Sequence, residues 1–134
     1  MEWADNLSVG VDTIDNQHKE LINRVNKFFA ALRSENGREE TLKVLAFLSS
    51  YVVNHFRDEE AIQVRCNYPK YQEHRKLHKE FLETVKEMTA DIEKNGVTTA
   101  SSTMIAMTVS NWLVNHISRQ DAEIGRHIRA SGQA

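Results

Sequence analysis

Apolar residues recur every three or four positions in four long stretches of the chain, and short polar segments separate these stretches. This spacing is typical of amphipathic α-helices that bury one face. The four stripes are Ile14, Leu21, Ile22, Val25, Phe28, Phe29 and Leu32; Leu42, Leu45, Leu48, Val52 and Phe56; Leu77, Phe81, Val85, Met88 and Ile92; and Ile105, Val109, Trp112, Leu113, Ile117, Ile124 and Ile128. The pattern predicts an all-α protein with a core built from one face of each helix.

Glycine and proline indicate where these helices begin and end. The chain has one Pro and five Gly, whereas a β fold would need a turn about every 8–12 residues. Asn36-Gly37 and Asn95-Gly96 predict helix ends with glycine in the left-handed conformation, and Pro69 predicts a helix start. We therefore expect an irregular N-terminal arm over about residues 1–11 and helices near 12–36, 39–65, 69–94 and 100–129.

Short connections between long amphipathic helices favour antiparallel neighbours. The sequence therefore predicts an up-down-up-down antiparallel four-helix bundle. With 134 residues, the chain is long enough to bury a core and is expected to form one domain over residues 1–134.

Composition and charge exclude several classes of partner. The net charge is −2 and no basic cluster is present, so we expect no nucleic-acid partner. The apolar runs are far shorter than the ~20 residues of a membrane-spanning helix, and the acidic start of the chain is unlike a secretory signal. Cys66 is the only cysteine and cannot form an internal disulfide, which favours a cytoplasmic protein. No feature identifies a protein partner.

Five of the six histidines follow a series of metal-ligand spacings along the predicted helices. Side chains four residues apart project from one face of a helix and can bind the same ion. The candidate ligands are His18 on the first helix, His55 and Glu59 on the second, His74 and His78 on the third, and His116 and Asp121 on the fourth. The series predicts one metal site held by four helices.

The fourth helix departs from this regularity, because His116 and Asp121 are five residues apart, about 140° around an ideal helix. Glu123 is nearly in line with His116, but it lies about 10.5 Å further along the axis. We favour Asp121, which requires either a sideways reach of its side chain or a local widening of the helix of the π type. The hypothesis is that the hydrogen bonds around residues 116–121 depart from the regular pattern.

A core histidine is more often a hydrogen-bonded structural residue than a ligand, but this core would contain five of them and two carboxylates. Each buried imidazole without a partner costs about 1–3 kcal/mol, and a buried carboxylate must be paired or bind a metal. A structural zinc takes four ligands, usually with thiolates. The set instead fits two iron ions joined by both carboxylates and an oxo or hydroxo bridge, with the histidines divided three and two. One iron then keeps an open position.

The same ligand set favours one function over another. Di-iron oxidases of the ferritin-like class use Glu-x-x-His pairs and four carboxylates, and this chain contains no Glu-x-x-His. Neutral imidazoles stabilise high-valent iron less well, so we expect reversible dioxygen binding and no enzymatic activity. Four apolar residues are expected to pack in the core and to line the open position as a ligand pocket: Leu21, Phe56, Leu113 and Ile117.

The order and spacing of all seven candidate ligands resemble the hemerythrin family, in particular its bacterial members. Three further segments resemble family blocks: Trp3 to His18, Asn67-Tyr68-Pro69, and Trp112 to Ile117. The resemblance spans nearly the whole chain.

The resemblance implies a non-haem di-iron protein for dioxygen transport, storage or sensing. It assigns His74, His78 and His116 to the saturated iron and His18 and His55 to the open one, with Glu59 and Asp121 as bridges. Two alternatives stay open. One is a di-iron redox enzyme that acts on peroxide or nitric oxide. The other is an oxygen-sensing or redox-sensing input domain, which the absence of an output segment after the last helix disfavours.

Overall fold

The computed structural model describes residues 2–32 and 34–131. The helices are α1 (Asp12–Ala31), α2 (Gly37–Arg65), α3 (Tyr71–Asn95), α4 (Thr99–Asn115) and α5 (Ala122–Ser131), and the π-helical segment His116–Asp121 joins α4 to α5. A short 3-10 turn, Asp5–Leu7, lies in the N-terminal arm. The described ranges contain no β-strand, and the all-α prediction is confirmed.

Four helical rods form the bundle, because α4, the π segment and α5 are continuous. The first two rods are antiparallel: Gln17 donates to Asp58 at 2.9 Å, while Arg24, further along α1, lies over the ring of Phe47, which is earlier in α2. α2 and α4 run in the same direction across the bundle, since their first turns meet through the hydroxyls of Thr41 and Ser102, 2.8 Å apart. This is the arrangement that the short connections predict.

The helix ends agree only in part with the sequence prediction. α1 ends at Ala31 rather than near residue 36, and Gly37 begins α2 instead of ending α1. The Ser34 hydroxyl donates to the Ala31 carbonyl at 2.8 Å, which satisfies an acceptor at the end of α1. Gly96 follows α3 with a positive φ of +79°, as expected for a glycine after a helix, but its ψ of 172° is extended rather than left-handed helical.

Most of the predicted stripe residues are buried in one apolar core that all four rods share. Two predictions were wrong: Phe29 is 38% exposed and Leu42 is 48% exposed. Each lies next to the buried face of its helix, and the adjacent helices cover only that face. Despite these exposed apolar residues, none of the helices that the structure describes is long and apolar enough to cross a membrane.

The N-terminal arm fixes the start of α1 and closes one end of the bundle. The Val9 amide donates to one carboxylate oxygen of Asp15 at 2.9 Å, and the Ser8 hydroxyl donates to the other at 2.5 Å. The arm also passes so close to Gly125 that a Cβ there would lie 2.9 Å from the Val9 Cα. His18 projects from the next turn of α1 after Asp15, so these contacts help to position it.

Candidate metal centre

All seven predicted ligand residues lie at one level of the bundle, and their relative exposure is 3% or less. Each rod contributes at least one of them. α1 provides His18; α2 provides His55 and Glu59; α3 provides His74 and His78; and the π segment provides His116 and Asp121.

The carboxylate of Glu59 lies between two sets of imidazoles. Its Oε1 faces the Nε2 atoms of His74, His78 and His116 at 2.7, 3.0 and 3.3 Å, and its Oε2 faces those of His18 and His55, both at 3.3 Å. One oxygen therefore points to a set of three histidines and the other to a set of two.

Asp121 spans the same two sets from the opposite rod. Its Oδ1 lies 2.9 Å from His74 Nε2 and 3.1 Å from His116 Nε2, while its Oδ2 lies 2.9 Å from His18 Nε2. Glu123, the alternative in the sequence, is instead 38% exposed at the side chain and pairs with Lys70 at 2.7 Å. The structure thus places Asp121 inside the bundle and Glu123 at its surface.

The widened helix explains how Asp121 reaches the interior. The Ala122 amide donates to the Ile117 carbonyl, five residues earlier, and residues 116–121 form a π-helix. The Ser118 hydroxyl also donates to the Val114 carbonyl in the last turn of α4. The predicted departure from the regular hydrogen-bond pattern is confirmed.

The potential ligand atoms form two groups, and within each group they lie within 4.8 Å of one another. One group is Glu59, His74, His78 and His116; the other is His18, His55, Glu59 and Asp121. Because Glu59 belongs to both groups, the two sites are adjacent and share a carboxylate. The positions of the ligand atoms therefore divide the histidines into a group of three and a group of two.

The donor set fits two cations. Both oxygens of Asp121 and the Nε2 of His55 are buried without a well-formed hydrogen bond, although imidazole nitrogens lie close to them. The Nε2 atoms of His78 and His116 face each other at 3.1 Å. Imidazole nitrogens and carboxylate oxygens that converge in this way are suited to ions such as iron, and a carboxylate can bridge two of them.

The electrostatics of the centre favour positive charge. Burial alone lowers the pKa of an imidazole, but the Asp121 and Glu59 carboxylates outweigh it and raise the pKa of His18 to about 9 and that of His116 to about 10. Burial raises the pKa of both carboxyls, yet the surrounding histidines hold the pKa of Glu59 and that of Asp121 well below their ordinary values. Cations that bind here would displace protons from the histidines.

Three histidines have an outer hydrogen-bond partner at Nδ1. His55 Nδ1 lies 2.7 Å from Gln17 Oε1, His78 Nδ1 lies 2.8 Å from Glu60 Oε2, and His116 Nδ1 lies 2.8 Å from Gln120 Oε1. These acceptors favour the tautomer with the proton on Nδ1, which leaves Nε2 free for a metal.

Sequence reasoning did not assign these outer partners. Glu60 and Gln17 contact histidines of neighbouring helices, and no local spacing in the sequence indicates such contacts. For Gln120 a local signal existed, because it lies four residues after His116 and so on the same helix face.

Aromatic and aliphatic side chains cover the other side of the centre. The ring of Phe56 stacks on His78 with centroids 3.8 Å apart, and Trp112 stacks on His116 at 4.3 Å. A cavity of about 10 Å³ lies beyond them, and its apolar lining includes Phe56, Leu21 and Leu113. Ile117 is fully buried in the same core, but it does not line this cavity.

Fold and site together define a class of protein, a four-helix bundle with a candidate two-cation centre of five histidines and two shared carboxylates. Residues 9–128 match the family model described as the hemerythrin HHE cation binding domain. The chain therefore belongs to the hemerythrin family, whose members are oxygen-binding di-iron proteins.

Individual relatives match over most of the chain. The bacteriohemerythrin of Pseudomonas aeruginosa is 30% identical over 122 residues, which cover 90% of this chain and 76% of the relative. The myohemerythrin of Riftia pachyptila is 31% identical over 115 residues, with 86% and 82% covered. A crystal structure of a wild-type hemerythrin superposes with a TM-score of 0.78 at 27% identity, covering 96% of this chain and 97% of that one.

Proposed function

We propose that this chain binds dioxygen reversibly at a non-haem di-iron centre, for transport, storage or sensing, and that it is not an enzyme. The observation that carries the proposal is the division of the histidines around the two carboxylates. Three imidazoles lie on one side of Glu59 and two on the other. A cation on the side with two has fewer protein ligands and an open position, which is the mark of a working metal site.

In this proposal His74, His78 and His116 would hold one iron, His18 and His55 would hold the other, and Glu59 and Asp121 would be shared between the two. Two ferrous ions would supply the two electrons that reversible dioxygen binding needs. The Nδ1 contacts of Gln17, Glu60 and Gln120 keep three imidazoles in the tautomer that presents Nε2.

The apolar side of the centre would select the ligand and protect it. Leu21, Phe56 and Leu113 line a cavity of about 10 Å³, which has room for about one water-sized molecule. The apolar lining favours a small neutral ligand such as dioxygen over an ion. Apolar walls also offer no proton donor. They disfavour the departure of dioxygen as the superoxide anion, because a charged species is poorly solvated there. Ile117, buried beside them, would keep this side dry.

Metal analysis combined with an anaerobic dioxygen titration tests the proposal. The reduced protein should contain two irons per chain and gain near-ultraviolet and visible charge-transfer absorption when dioxygen is added. The absorption should disappear when dioxygen is removed, with a stoichiometry of one dioxygen per iron pair. Absence of this absorption in protein that holds both irons would overturn the proposal.

The same sample separates binding from catalysis. With a reductant present, a redox enzyme would consume peroxide or nitric oxide over many turnovers, whereas a carrier or sensor would react stoichiometrically. Sustained turnover would replace our proposal with the enzymatic alternative.

A further inference from the structure

Gln63 is a polar residue in the core that the ligand set does not use. It lies on the buried face of α2 and is fully buried. Neither its amide nitrogen nor its amide oxygen has a hydrogen-bond partner in the described part of the chain. A buried amide without partners destabilises the fold, whereas an apolar side chain of the same size would not. The position therefore requires an explanation in terms of something that the amide binds.

The helix register directs Gln63 to the carboxylate side of the centre. Side chains four residues apart on a helix are neighbours, so His55, Glu59 and Gln63 form one row along α2 with Glu59 in the middle. The α2 residues that line the apolar cavity, which include Val52 and Phe56, all precede Glu59 in the chain. Gln63 therefore approaches Glu59 from the end opposite to the apolar cavity.

Three of the histidines have a hydrogen-bond partner outside the ligand set, but within the described residues Glu59 has none. The hydrogen bonds that it makes within the described residues are to histidine rings. When cations take the imidazole nitrogens, their protons leave and these contacts are lost. Each carboxylate oxygen then keeps one lone pair, and carboxylates that bind metals are themselves usually hydrogen-bonded by a neighbouring group.

We propose that Gln63 is a positioning residue of the metal centre. Its amide N–H donates to the Glu59 carboxylate when the two cations are bound, and so holds the shared carboxylate in its bridging orientation. The inference rests on the proposed metal centre, but it does not depend on dioxygen binding.

The test compares metal retention with the stability of the metal-free chain. In Gln63→Met the amide is replaced by an apolar side chain of similar size. Two quantities are measured for the full chain: the rate at which iron is lost to an excess of chelator, and the thermal midpoint of the metal-free protein. Gln120→Met is a positive control, because its amide already accepts from His116, and Gln72→Met is a negative control at an exposed position of α3.

We expect iron loss from Gln63→Met to be about 10–100-fold faster, the usual effect of removing an outer partner of a metal ligand. The metal-free midpoint should be unchanged or higher, because an unpartnered buried amide is removed. Gln120→Met should lose iron faster and also have a lower metal-free midpoint, and Gln72→Met should resemble the wild type. Gln63→Met should thus weaken iron retention without lowering the metal-free midpoint. A residue that only fills space is not expected to give this combination.

Iron loss from Gln63→Met at the wild-type rate would overturn the proposal. So would a lower metal-free midpoint, since the amide would then have a structural partner. Gln63→Leu repeats the comparison if the first variant does not fold, and failure of both to fold would also indicate a structural role. Wild-type protein that holds two irons but does not bind dioxygen would contradict the proposed function and leave this comparison intact.

Discussion

At the residue scale, the chemistry of the centre depends on which imidazole nitrogen is free. Gln17, Glu60 and Gln120 each hold one Nδ1. The carboxylate of Glu60 is a stronger acceptor than the two amides, so it should make the His78 ring the more electron-rich ligand. The two proposed iron positions therefore differ in their outer hydrogen bonds as well as in their number of histidines.

The choice between Asp121 and Glu123 gives a matched test at this scale. Asp121→Asn removes the charge of a fully buried carboxylate that we propose as a bridge, so iron affinity should fall on the order of 100-fold or more. Glu123→Gln changes an exposed carboxylate that pairs with Lys70 and should leave two irons per chain. Iron content after desalting measures both. Two irons retained in Asp121→Asn would show that this carboxylate is not a ligand.

At the scale of elements, the π segment and the N-terminal arm make contacts that four regular helices would not make. The π segment turns Asp121 towards the same side as His116. The arm packs against α5, where Gly125 leaves room for it. The π segment itself carries two candidate ligands, and the arm packs against the helix that follows it, so both features act on elements of the candidate centre.

Gly125→Ala tests the contact between the arm and α5. The new Cβ would lie 2.9 Å from the Val9 Cα and 3.0 Å from the Ser8 carbonyl oxygen, and backbone atoms yield only if the arm moves. We expect a loss of about 1–3 kcal/mol in the free energy of unfolding, measured by urea denaturation.

Gly37→Ala is the matched control for that substitution. Its Cβ would have no neighbour closer than 3.5 Å, so a gain of about 0.4–1 kcal/mol is expected from the less flexible unfolded chain. Equal effects of the two substitutions would contradict the close approach of the arm.

At the scale of the whole molecule, the bundle encloses protonated histidines beside ionised carboxylates. Bound cations would replace the protons of these histidines. His18 and His116 have pKa values raised to about 9 and about 10, while Glu59 and Asp121 have pKa values lowered below their ordinary range. In metal-free protein these ion pairs contribute to stability, and in loaded protein the cations take the place of the protons.

The stability of the metal-free protein should therefore fall as the pH rises from neutral to alkaline. Between the ordinary histidine pKa of 6.5 and the raised values of about 9 and 10, the folded chain binds more protons than the unfolded chain. Raising the pH through this range removes that stabilisation, which is complete only below 6.5. Urea denaturation at pH 6 and pH 9 measures the difference.

Iron-loaded protein is the control for that pH dependence. Its histidines bind iron in the neutral form, so the decrease in stability between these two pH values should be smaller. Iron affinity should rise with pH over the same range, because fewer protons must be displaced. A metal-free protein that is equally stable at both pH values would contradict the ion pairs.

The sequence by itself determined the helices and the set of candidate ligands, because both follow local periodicity. His55 and Glu59 are four residues apart on one predicted face, and so are His74 and His78. The five-residue step from His116 to Asp121 also predicted an irregular hydrogen-bond pattern there, since the two residues do not share a face in a regular helix. The resemblance to a family then selected Asp121 over Glu123.

Only the tertiary structure decided which groups meet between helices. Glu60 of α2 contacts His78 of α3, and Gln17 of α1 contacts His55 of α2. The exposure of Phe29 is also a result of packing, and so is the lack of a partner for the Gln63 side-chain amide among residues 2–32 and 34–131. Periodicity gives the direction in which a side chain leaves its own helix, but distances to residues far away in the chain are set when the helices pack together.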